Sequence, residues 1–300
     1  MQQRRIGART VSAIGLGGMP MSVEGRPERE RAIATVHAAL EAGVTLIDTA
    51  DAYHLGGPDD LGHNESLIAE ALRSYGADAD AVLVATKGGL QRLEPGPGPW
   101  TRNGHPDYLK QAARASARRL GVDAIGLYQF HRPDPAVPYA DSVGALADLL
   151  DEGVIEMAGI SNAAPDQIRT AQEVLGGRLV TVQNQFSPSF RSSLPELELC
   201  AELGIAFLPW SPLGGMQGAS TLGASKRGGS AAAFERVASA HGVSPQQVAL
   251  AWELALAPVV VPIPGASRPE SIRDSTRAPE LTLTPDEMAE LSQPGDTLNG

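Results

Sequence analysis

Four polar side chains stand at or just beyond the ends of short apolar runs, where they could act on one substrate. Asp48 ends the second run, and Tyr53 follows it by five residues. Lys87 comes directly after the third run, and His131 comes directly after the fourth. A carboxylate, a phenol, an ammonium group and an imidazole are groups that acid–base chemistry on a carbonyl or an alcohol can use.

A lysine directly after a buried strand is usually a solvated rim residue, but the neighbouring carboxylate favours another interpretation. Asp48 supplies the anion that a buried Lys87 needs. The Lys87 cation beside the Tyr53 hydroxyl is expected to lower the pKa of Tyr53 from about 10. A neutral His131 could hydrogen-bond a substrate carbonyl. Together the four groups make an acid that can protonate a developing alkoxide, and hydride must come from a nicotinamide because no side chain supplies it.

The elements that position these residues alternate between short apolar runs and amphipathic segments. Continuous apolar runs bounded by turn or polar residues are typical of strands buried on both faces. The predicted strands are Ile14–Gly17, Val44–Asp48, Val82–Thr86, Ile125–Phe130, Ile155–Ile160, Val180–Gln183, Ala206–Leu208 and Val259–Pro262. The predicted helices are Glu28–Glu41, Glu65–Ser74, Asp107–Leu120, Tyr139–Glu152, Pro165–Leu175, Pro195–Leu203, Ala231–Ala240, Pro245–Ala257 and Pro269–Ala278.

Eight strand–helix units in 300 residues predict an α/β fold, a (β/α)8 TIM barrel that forms a single domain over residues 1–300. The alternative is an open doubly wound sheet, which predicts a G-x-G-x-x-G turn after an early strand. The segment Gly15-Leu16-Gly17-Gly18 lacks the third glycine of that turn. Two long irregular stretches, Gly89–Gly104 and Leu213–Ser230, are predicted to be functional loops of the barrel.

Polar residues at later strand ends suit a nicotinamide. Ser161, Asn162 and Gln183 offer side chains that can hold a carboxamide, and Trp210 offers a flat face for stacking. Barrel packing is an equally good interpretation of Trp210 taken alone.

Taken in this order along the whole chain, the strand-end residues resemble the aldo-keto reductase superfamily, and its bacterial short-loop branch in particular. The motifs that carry the resemblance are Ile47-Asp48-Thr49-Ala50 with Tyr53, Thr86-Lys87, Phe130-His131, Gly159-Ile160-Ser161-Asn162, Gln183-Asn184-Gln185 and Trp210-Ser211-Pro212-Leu213.

The resemblance implies an NADP-dependent oxidoreductase that reduces an aldehyde or ketone to an alcohol. Tyr53 would be the general acid, Lys87 would depress its pKa, Asp48 would hold Lys87, and His131 would orient the carbonyl. The cofactor-binding residues that the resemblance implies are Gly18, Met19, Ser161, Asn162, Gln183, Trp210, Ser211, Pro212, Leu213, Ile263, Pro264, Gly265, Ser267, Arg268, Arg273 and Asp274.

The adenosine end of the cofactor would lie after the eighth strand. Arg268 would pair with a 2′-phosphate, which favours NADPH over NADH. Arg273 is a second candidate for that contact. Asp274-Ser275 stands where the family often has Glu-Asn, so the adenine contact is open.

The substrate pocket is expected to include Met21 and Trp100. No arginine is predicted to face the site, and the direction of the Arg132 side chain stays open. No metal site is predicted, because a single histidine, His131, ends a strand and no His-x-His pair occurs.

Composition excludes several other classes of protein. The net charge of −11 argues against a general nucleic-acid binder. A single cysteine, Cys200, excludes an intramolecular disulfide. The most apolar stretch, Val248–Ile263, contains Glu253 and two prolines and is too short to span a bilayer. With no signal peptide recognised, we expect a cytoplasmic monomer acting on a small carbonyl or alcohol.

Two alternatives stay open on the sequence. The chain could bind NADPH as a sensor or interaction protein with residual reductase activity. It could also work in the oxidative direction, as a sugar or alcohol dehydrogenase.

Overall fold

The computed structural model describes residues 1–94, 96, 100–215 and 228–293, with only the backbone at 228–230. The strands are β1 (Gln3–Ile6), β2 (Arg9–Ser12), β3 (Leu16–Gly17), β4 (Leu46–Asp48), β5 (Leu83–Gly88), β6 (Leu90–Gln91), β7 (Thr101–Arg102), β8 (Leu127–Phe130), β9 (Ala158–Ser161), β10 (Leu179–Gln183) and β11 (Ala206–Phe207). The α-helices are α1 (Arg29–Glu41), α2 (His63–Tyr75), α3 (Pro106–Leu120), α4 (Tyr139–Asp151), α5 (Pro165–Val174), α6 (Leu194–Leu203), α7 (Gly228–His241), α8 (Pro245–Leu256), α9 (Pro269–Ser275) and α10 (Pro285–Ser292).

Seven parallel strands form the central sheet, in the order β11-β10-β9-β8-β5-β4-β3. They overlap the first seven predicted strands, and their residues are buried almost throughout. Burial on both faces explains the continuous apolar runs, since helices cover the outer face of the sheet. The register sets Asp48 beside Ala85 and Ser161 beside Gln183. The polar strand ends therefore meet at one edge of the sheet.

A complete eight-stranded barrel is not confirmed, because the predicted strand Val259–Pro262 is not a regular strand in the described part of the chain. The sheet is curled, and this last segment touches both of its edge strands through isolated parallel bridges. Val260 bridges to Phe207, and Gly265 bridges to Gly17. The predicted barrel is therefore confirmed only as a seven-stranded curled sheet with an irregular eighth segment.

Two prolines account for the irregularity of the eighth segment. Pro262 and Pro264 have no N–H, so they cannot donate to a ladder. Their carbonyls still accept hydrogen bonds from the N–H groups of Gly15 and Gly17, at 2.9 and 3.0 Å. The segment can thus follow the edge of the sheet without pairing regularly.

An N-terminal hairpin, which the sequence pattern did not predict, lies against the amino ends of the sheet strands. Strands β1 and β2 pair antiparallel around Gly7, which has a φ of 54°. Ile6 and Val11 are buried in one apolar cluster with residues at the starts of several strands, namely Leu46, Leu83, Leu127 and Ala206. The hairpin thus covers the end of the sheet opposite to the polar strand ends.

The helices agree with the predicted ones except near the C-terminus. The α9 helix ends at Ser275 rather than Ala278, and a 3₁₀ turn follows it. The α10 helix is an addition, and its start carries a capping box in which Thr284 and Glu287 satisfy each other's backbone N–H groups. Most of the predicted loop Leu213–Ser230 lies outside the described residues.

None of the described helices is long and apolar enough to traverse a bilayer. That the chain forms a single domain stays a prediction.

Glu253 on α8 is a buried acid without a partner. Its side chain is fully buried, and neither carboxylate oxygen accepts or donates a hydrogen bond within the described part of the chain. Burial raises the pKa of Glu253 well above its ordinary value. The folded protein therefore keeps this carboxyl protonated at pH values where the unfolded chain ionises it.

We expect Glu253→Leu to stabilise the protein at pH 7. Above the ordinary glutamate pKa the unfolded chain releases a proton that the folded chain holds, so this group lowers the free energy of unfolding as pH rises. Removing it and its unsatisfied oxygens should add about 1–3 kcal/mol at pH 7 and less near pH 4.5. Urea unfolding at both pH values measures the difference.

Glu253→Gln is the matched control, because it removes the ionisation but keeps a buried polar group. It should lose the pH-dependent part of the effect and gain less than the leucine variant. A leucine variant that is less stable than the wild type at pH 7 would contradict this account.

Candidate active site

A cavity of about 470 Å³ opens where the polar strand ends meet, within the range of roughly 300–1,000 Å³ that ligand pockets occupy. It combines polar strand-end residues with apolar side chains from the surrounding loops. The residues that line it are Gly17, Met19, Pro20, Asp48, Tyr53, Leu90, Trp100, Arg102, His131, Arg132, Ser161, Asn162, Gln183, Trp210, Ser211, Pro212, Leu213, Gly215, Ile263 and Gly265.

Lys87 lies beneath this cavity and connects three of its polar neighbours. The side chain is completely buried. Its Nζ donates to Asp48 Oδ2 at 2.6 Å, to the Thr49 carbonyl at 2.8 Å and to Tyr53 Oη at 3.0 Å. An ammonium group has three N–H donors, so every donor of Lys87 has an acceptor. The tyrosine hydroxyl is thus held against a fixed positive charge.

The Asp48 carboxylate is held from a second side. Its Oδ1 accepts from Gln183 Nε2 at 2.8 Å and, at 3.5 Å, from Gln129 Nε2. The resemblance assigns Gln183 to the cofactor. In the structure its amide nitrogen donates to Asp48, and the residue also lines the cavity. The ion pair is tied to strands β8 and β10 as well as to β4 and β5.

The pKa of Tyr53 is raised, contrary to the expectation that Lys87 would lower it below about 10. Burial raises it most, the Lys87 charge lowers it, and the Asp48 charge raises it again. Lys87 itself shows the reverse balance, because burial lowers its pKa and the Asp48 and Tyr53 interactions raise it by more. The structure therefore holds Tyr53 as a phenol and Lys87 as a cation.

His131 stands beside the tyrosine as a neutral ring. The two ring centroids are 5.7 Å apart and the ring planes are nearly perpendicular. Burial lowers the pKa of His131 well below its ordinary value, and the charges of Lys87 and Arg132 lower it further. A neutral imidazole at neutral pH can hydrogen-bond a substrate oxygen without adding a charge.

Asn162 connects the ends of strands β8 and β9 through its side chain. Its Nδ2 donates to the His131 carbonyl at 3.0 Å and to Ser161 Oγ at 2.9 Å. Its Oδ1 accepts from Arg132 Nη2 at 3.0 Å. The residue has a φ of 56°, an unusual conformation that asparagine tolerates better than most residues. Ser161 Oγ in turn donates to the Gln183 carbonyl at 2.7 Å.

The cavity wall suits a nicotinamide ring. Trp210 lines the cavity, and its buried Nε1 has no hydrogen-bond partner among the described residues. The same wall carries the Ser161 hydroxyl and the Asn162 amide. An indole face together with fixed hydroxyl and amide groups is the combination that a flat heteroaromatic carboxamide needs.

Several predicted cofactor residues lie apart from the described cavity. Ser267 and the exposed Arg268 come just before α9 and do not line it. Arg273 pairs with Glu41 of α1 at 2.8 Å, facing another surface, so the structure does not bring it to the cavity. Asp274 accepts hydrogen bonds at 2.6 Å from two residues at the start of α8, Ser244 and Gln247.

Met21 also differs from its predicted place in the substrate pocket. It closes a 3₁₀ turn that begins at Met19, and it is buried in an apolar cluster with Leu16 and Val36. The turn directs Met19 to the cavity and Met21 to the core. Gly18 lies beside the lining residues, and its N–H donates to the Asp48 carbonyl at 2.8 Å.

A second hairpin, which sequence reasoning missed, brings further residues to the cavity. Strands β6 and β7 pair antiparallel and carry Leu90 and Arg102 to its wall. Trp100 precedes this hairpin's second strand, and its ring lies 6.4 Å from that of Tyr53. The hairpin's strands have two residues each, too short to show an alternating pattern.

A buried arginine supports Trp100. The guanidinium of Arg92 lies 5.5 Å from the Trp100 ring centroid. It donates to the carbonyls of His54 at 2.5 Å and Gly96 at 2.6 Å, and it pairs with Glu24. These contacts connect the Trp100 loop to the loop that precedes α1 and to the loop that precedes α2.

Arg132, whose direction the sequence left open, also lines the cavity. It directly follows His131, and that adjacency was the available signal. With Arg102, two arginines line a cavity that the sequence did not predict any arginine to face. Within the part of the chain that the structure describes, no cluster of three metal-ligating side chains occurs.

Comparison with known proteins places this geometry in context. A model of the aldo/keto reductase family matches residues 13–294. An uncharacterized oxidoreductase of Schizosaccharomyces pombe is 35% identical over 295 residues, which are 97% of this chain and 89% of the relative. A 6-dehydroglucose reductase of Novosphingobium aromaticivorans is 35% identical over 272 residues, 89% of this chain and 86% of the relative. The crystal structure of a Klebsiella pneumoniae aldo/keto reductase in complex with NADP and acetate has a TM-score of 0.77 and 25% identity, and the match covers 96% of this chain and 93% of that one.

We expect Lys87→Met to lower the free energy of unfolding by about 3–5 kcal/mol, because it leaves the Asp48 carboxylate buried without its cation. The double variant Lys87→Met/Asp48→Asn should recover at least half of that loss. Urea unfolding at pH 7 measures both.

Lys110→Met is the control, since its ion pair with Asp148 is partly exposed. Because an exposed ion pair contributes little to stability, this variant should unfold at nearly the same urea concentration as the wild type. A double variant as unstable as Lys87→Met would show that the buried charge of Asp48 is not the cause.

Proposed function

Since the chain belongs to the aldo/keto reductase family, we propose that it reduces an aldehyde or ketone to the alcohol with NADPH. One observation carries the proposal: the buried Lys87 ammonium joins Asp48 to the Tyr53 hydroxyl, 3.0 Å away, at the floor of a ligand-sized cavity. A buried cation with no contact to a tyrosine would be a purely structural feature. This cation stabilises the tyrosinate that remains after Tyr53 gives up its proton.

In the proposed reduction, Tyr53 Oη donates its proton to the carbonyl oxygen as negative charge develops there. The bound nicotinamide would supply the hydride to the carbonyl carbon. Lys87 would stabilise the tyrosinate left behind, with Asp48 holding the ammonium in place. The neutral His131 ring would donate a second hydrogen bond to the carbonyl oxygen and orient it.

Tyr53 would enter the proposed reduction as a phenol, since burial raises its pKa. The proton that the developing alkoxide needs is therefore present at neutral pH. The oxidative direction would use the same residue as a base, so the dehydrogenase alternative stays open.

Two observations support a nicotinamide cofactor. Trp210, Ser161 and Asn162 line the cavity together with Tyr53, so a ring stacked on the indole would lie close to the acid. A structurally similar family member is seen with NADP. For NADPH in particular, the proposal depends on Arg268, whose exposed guanidinium would pair with the 2′-phosphate.

We expect Tyr53→Phe to lower kcat for reduction by about 10²–10⁴-fold, because it removes the proton donor. The affinity for NADPH should stay within about threefold, since the cavity keeps its shape. Oxidation of NADPH with a panel of aldehydes and ketones, together with quenching of tryptophan fluorescence by NADPH, measures both. Wild-type protein that binds NADPH but reduces no carbonyl would refute the proposed activity.

We expect Arg268→Gln to weaken NADPH binding by about 10–100-fold and to leave NADH binding unchanged, because a charge-assisted hydrogen bond is lost. Arg273→Gln is the matched control, since that guanidinium pairs with Glu41. Fluorescence titration of the three proteins with each nucleotide separates the two arginines. An equal loss for NADPH and NADH would assign Arg268 a role other than phosphate recognition.

A further inference from the structure

The ionisable groups on the cavity wall leave it with unbalanced positive charge. Those that line it are Asp48, Tyr53, His131, Arg102 and Arg132. The Asp48 carboxylate is neutralised by its ion pair with Lys87. Burial keeps Tyr53 and His131 neutral, since it raises the pKa of the first and lowers that of the second. Among the described residues that line the cavity, the two guanidinium groups therefore remain charged without an ion-pair partner, in a protein whose net charge is −11.

Arg132 is half-buried and lacks an acidic partner. Its Nη2 donates to Asn162 Oδ1 at 3.0 Å, and no carboxylate of the described residues lies within ion-pair distance. Burial lowers the pKa of Arg132, and the charge of Arg102 lowers it further. A partly desolvated cation next to a like charge is unfavourable unless an anion joins it.

Arg102 reaches the same cavity from the β6–β7 hairpin. Its Nη1 donates to the Pro133 carbonyl at 3.2 Å. The two carboxylate oxygens of Asp134 accept from the backbone N–H groups of Gly104 and Ala136, both at 2.9 Å. These hydrogen bonds lower the pKa of Asp134 most, and the charge of Arg102 lowers it further. No ion pair between Asp134 and Arg102 occurs among the described contacts.

We propose that Arg102 and Arg132 form an anion-binding subsite, and that the substrate is a small aldehyde or ketone that carries an anionic group. The reason is that two guanidinium groups from different elements face one cavity and neither has an acidic partner among the described residues. The inference rests on the proposed reductase function and adds the substrate class to it.

The chemistry of the two groups narrows the anion. A guanidinium has a planar set of N–H donors that matches a carboxylate or a phosphate in bidentate fashion. His131 directly precedes Arg132, so the anion would bind close to the carbonyl that the acid protonates. The apolar residues Leu90 and Trp100 on the same wall suit a short hydrocarbon or aromatic spacer.

Another role for Arg132 is to hold Asn162 for the cofactor, since the two side chains are hydrogen-bonded. That role predicts weaker cofactor binding when Arg132 is changed, whatever the substrate. The anion subsite predicts a loss for charged substrates alone. Arg102 has no hydrogen bond to a proposed cofactor residue among the described contacts, so its substitution separates the two roles.

The test compares two aldehydes that share one ring and differ mainly in charge, a carboxylate and its methyl ester. Steady-state reduction of 4-formylbenzoate and of its methyl ester is measured for the wild type, Arg102→Gln, Arg132→Gln and the control Arg118→Gln, an exposed arginine on α3. We expect the wild type to prefer the acid by at least about tenfold in kcat/KM. Each cavity variant should raise KM for the acid about tenfold or more and change the ester by less than about twofold.

Two further measurements identify the anion and isolate the cofactor. Glyceraldehyde 3-phosphate compared with glyceraldehyde shows whether phosphate is preferred to carboxylate. Fluorescence titration with NADPH should give the same Kd for Arg102→Gln, Arg132→Gln and the wild type. Weaker NADPH binding by Arg132→Gln alone, with no charge preference lost in Arg102→Gln, would overturn the subsite.

The outcomes distinguish the inference from the proposed function. Reduction of the ester and the acid at equal rates would refute the anion subsite and leave the reductase intact. If no carbonyl is reduced, the reductase proposal fails, and binding of benzoate to the protein, measured by calorimetry, still tests the arginines. Benzoate binding that both cavity variants weaken and Arg118→Gln does not would support the subsite.

Discussion

The ion pair between Lys87 and Asp48 is the constraint on which the rest of the site depends. Both side chains are buried, so each of their donors and acceptors needs a hydrogen-bond partner. All three N–H donors of the Lys87 ammonium have one, because the Thr49 carbonyl and the Tyr53 hydroxyl accept the two that Asp48 does not. The position of the proposed acid is thus a consequence of satisfying a buried charge.

The same pair determines what the neighbouring strands must carry. Gln183 and Gln129 approach Asp48 from β10 and β8, and Thr181 Oγ1 donates to Gln129 Oε1 at 3.1 Å. Gly159 lies between them on β9, where a Cβ would collide with the Thr181 hydroxyl. A larger residue at this position would push the polar layer apart. The interior of the curled sheet is therefore polar around Asp48 and apolar towards the amino ends of the strands.

A second buried polar group supports the site from behind. Glu65 of α2 pairs with Arg119 of α3 at 2.5 Å and accepts from Thr86 Oγ1 at 2.5 Å. Asn64 accepts from Thr49 Oγ1 at 2.6 Å and donates to the Gly18 carbonyl at 2.8 Å. These contacts fix α2 against the strands on which the ion pair stands, and they fix the loop that presents Met19 to the cavity.

The sequence alone was sufficient for the order of strands and for the strand-end positions of Asp48, Lys87 and His131. This follows because a strand buried on both faces is a largely apolar run, so the polar residue at the end of the run is visible in the sequence. Parallel pairing then brings those ends together whatever the exact bounds of each strand. The capping box of Thr284 and Glu287 at the start of α10 is also a local signal in the sequence, although that helix was not predicted.

Only the folded chain decided the properties that depend on distant neighbours. Whether burial or Lys87 governs the pKa of Tyr53 depends on how much water the surrounding loops exclude, which no local pattern encodes. The short β6–β7 hairpin and the turn that sends Met21 into the core have no periodicity to detect. Arg102 on β7 and Arg132 after β8 line the same cavity although they are 30 residues apart in the chain. Charge balance in a cavity is a sum over elements that come together only in three dimensions.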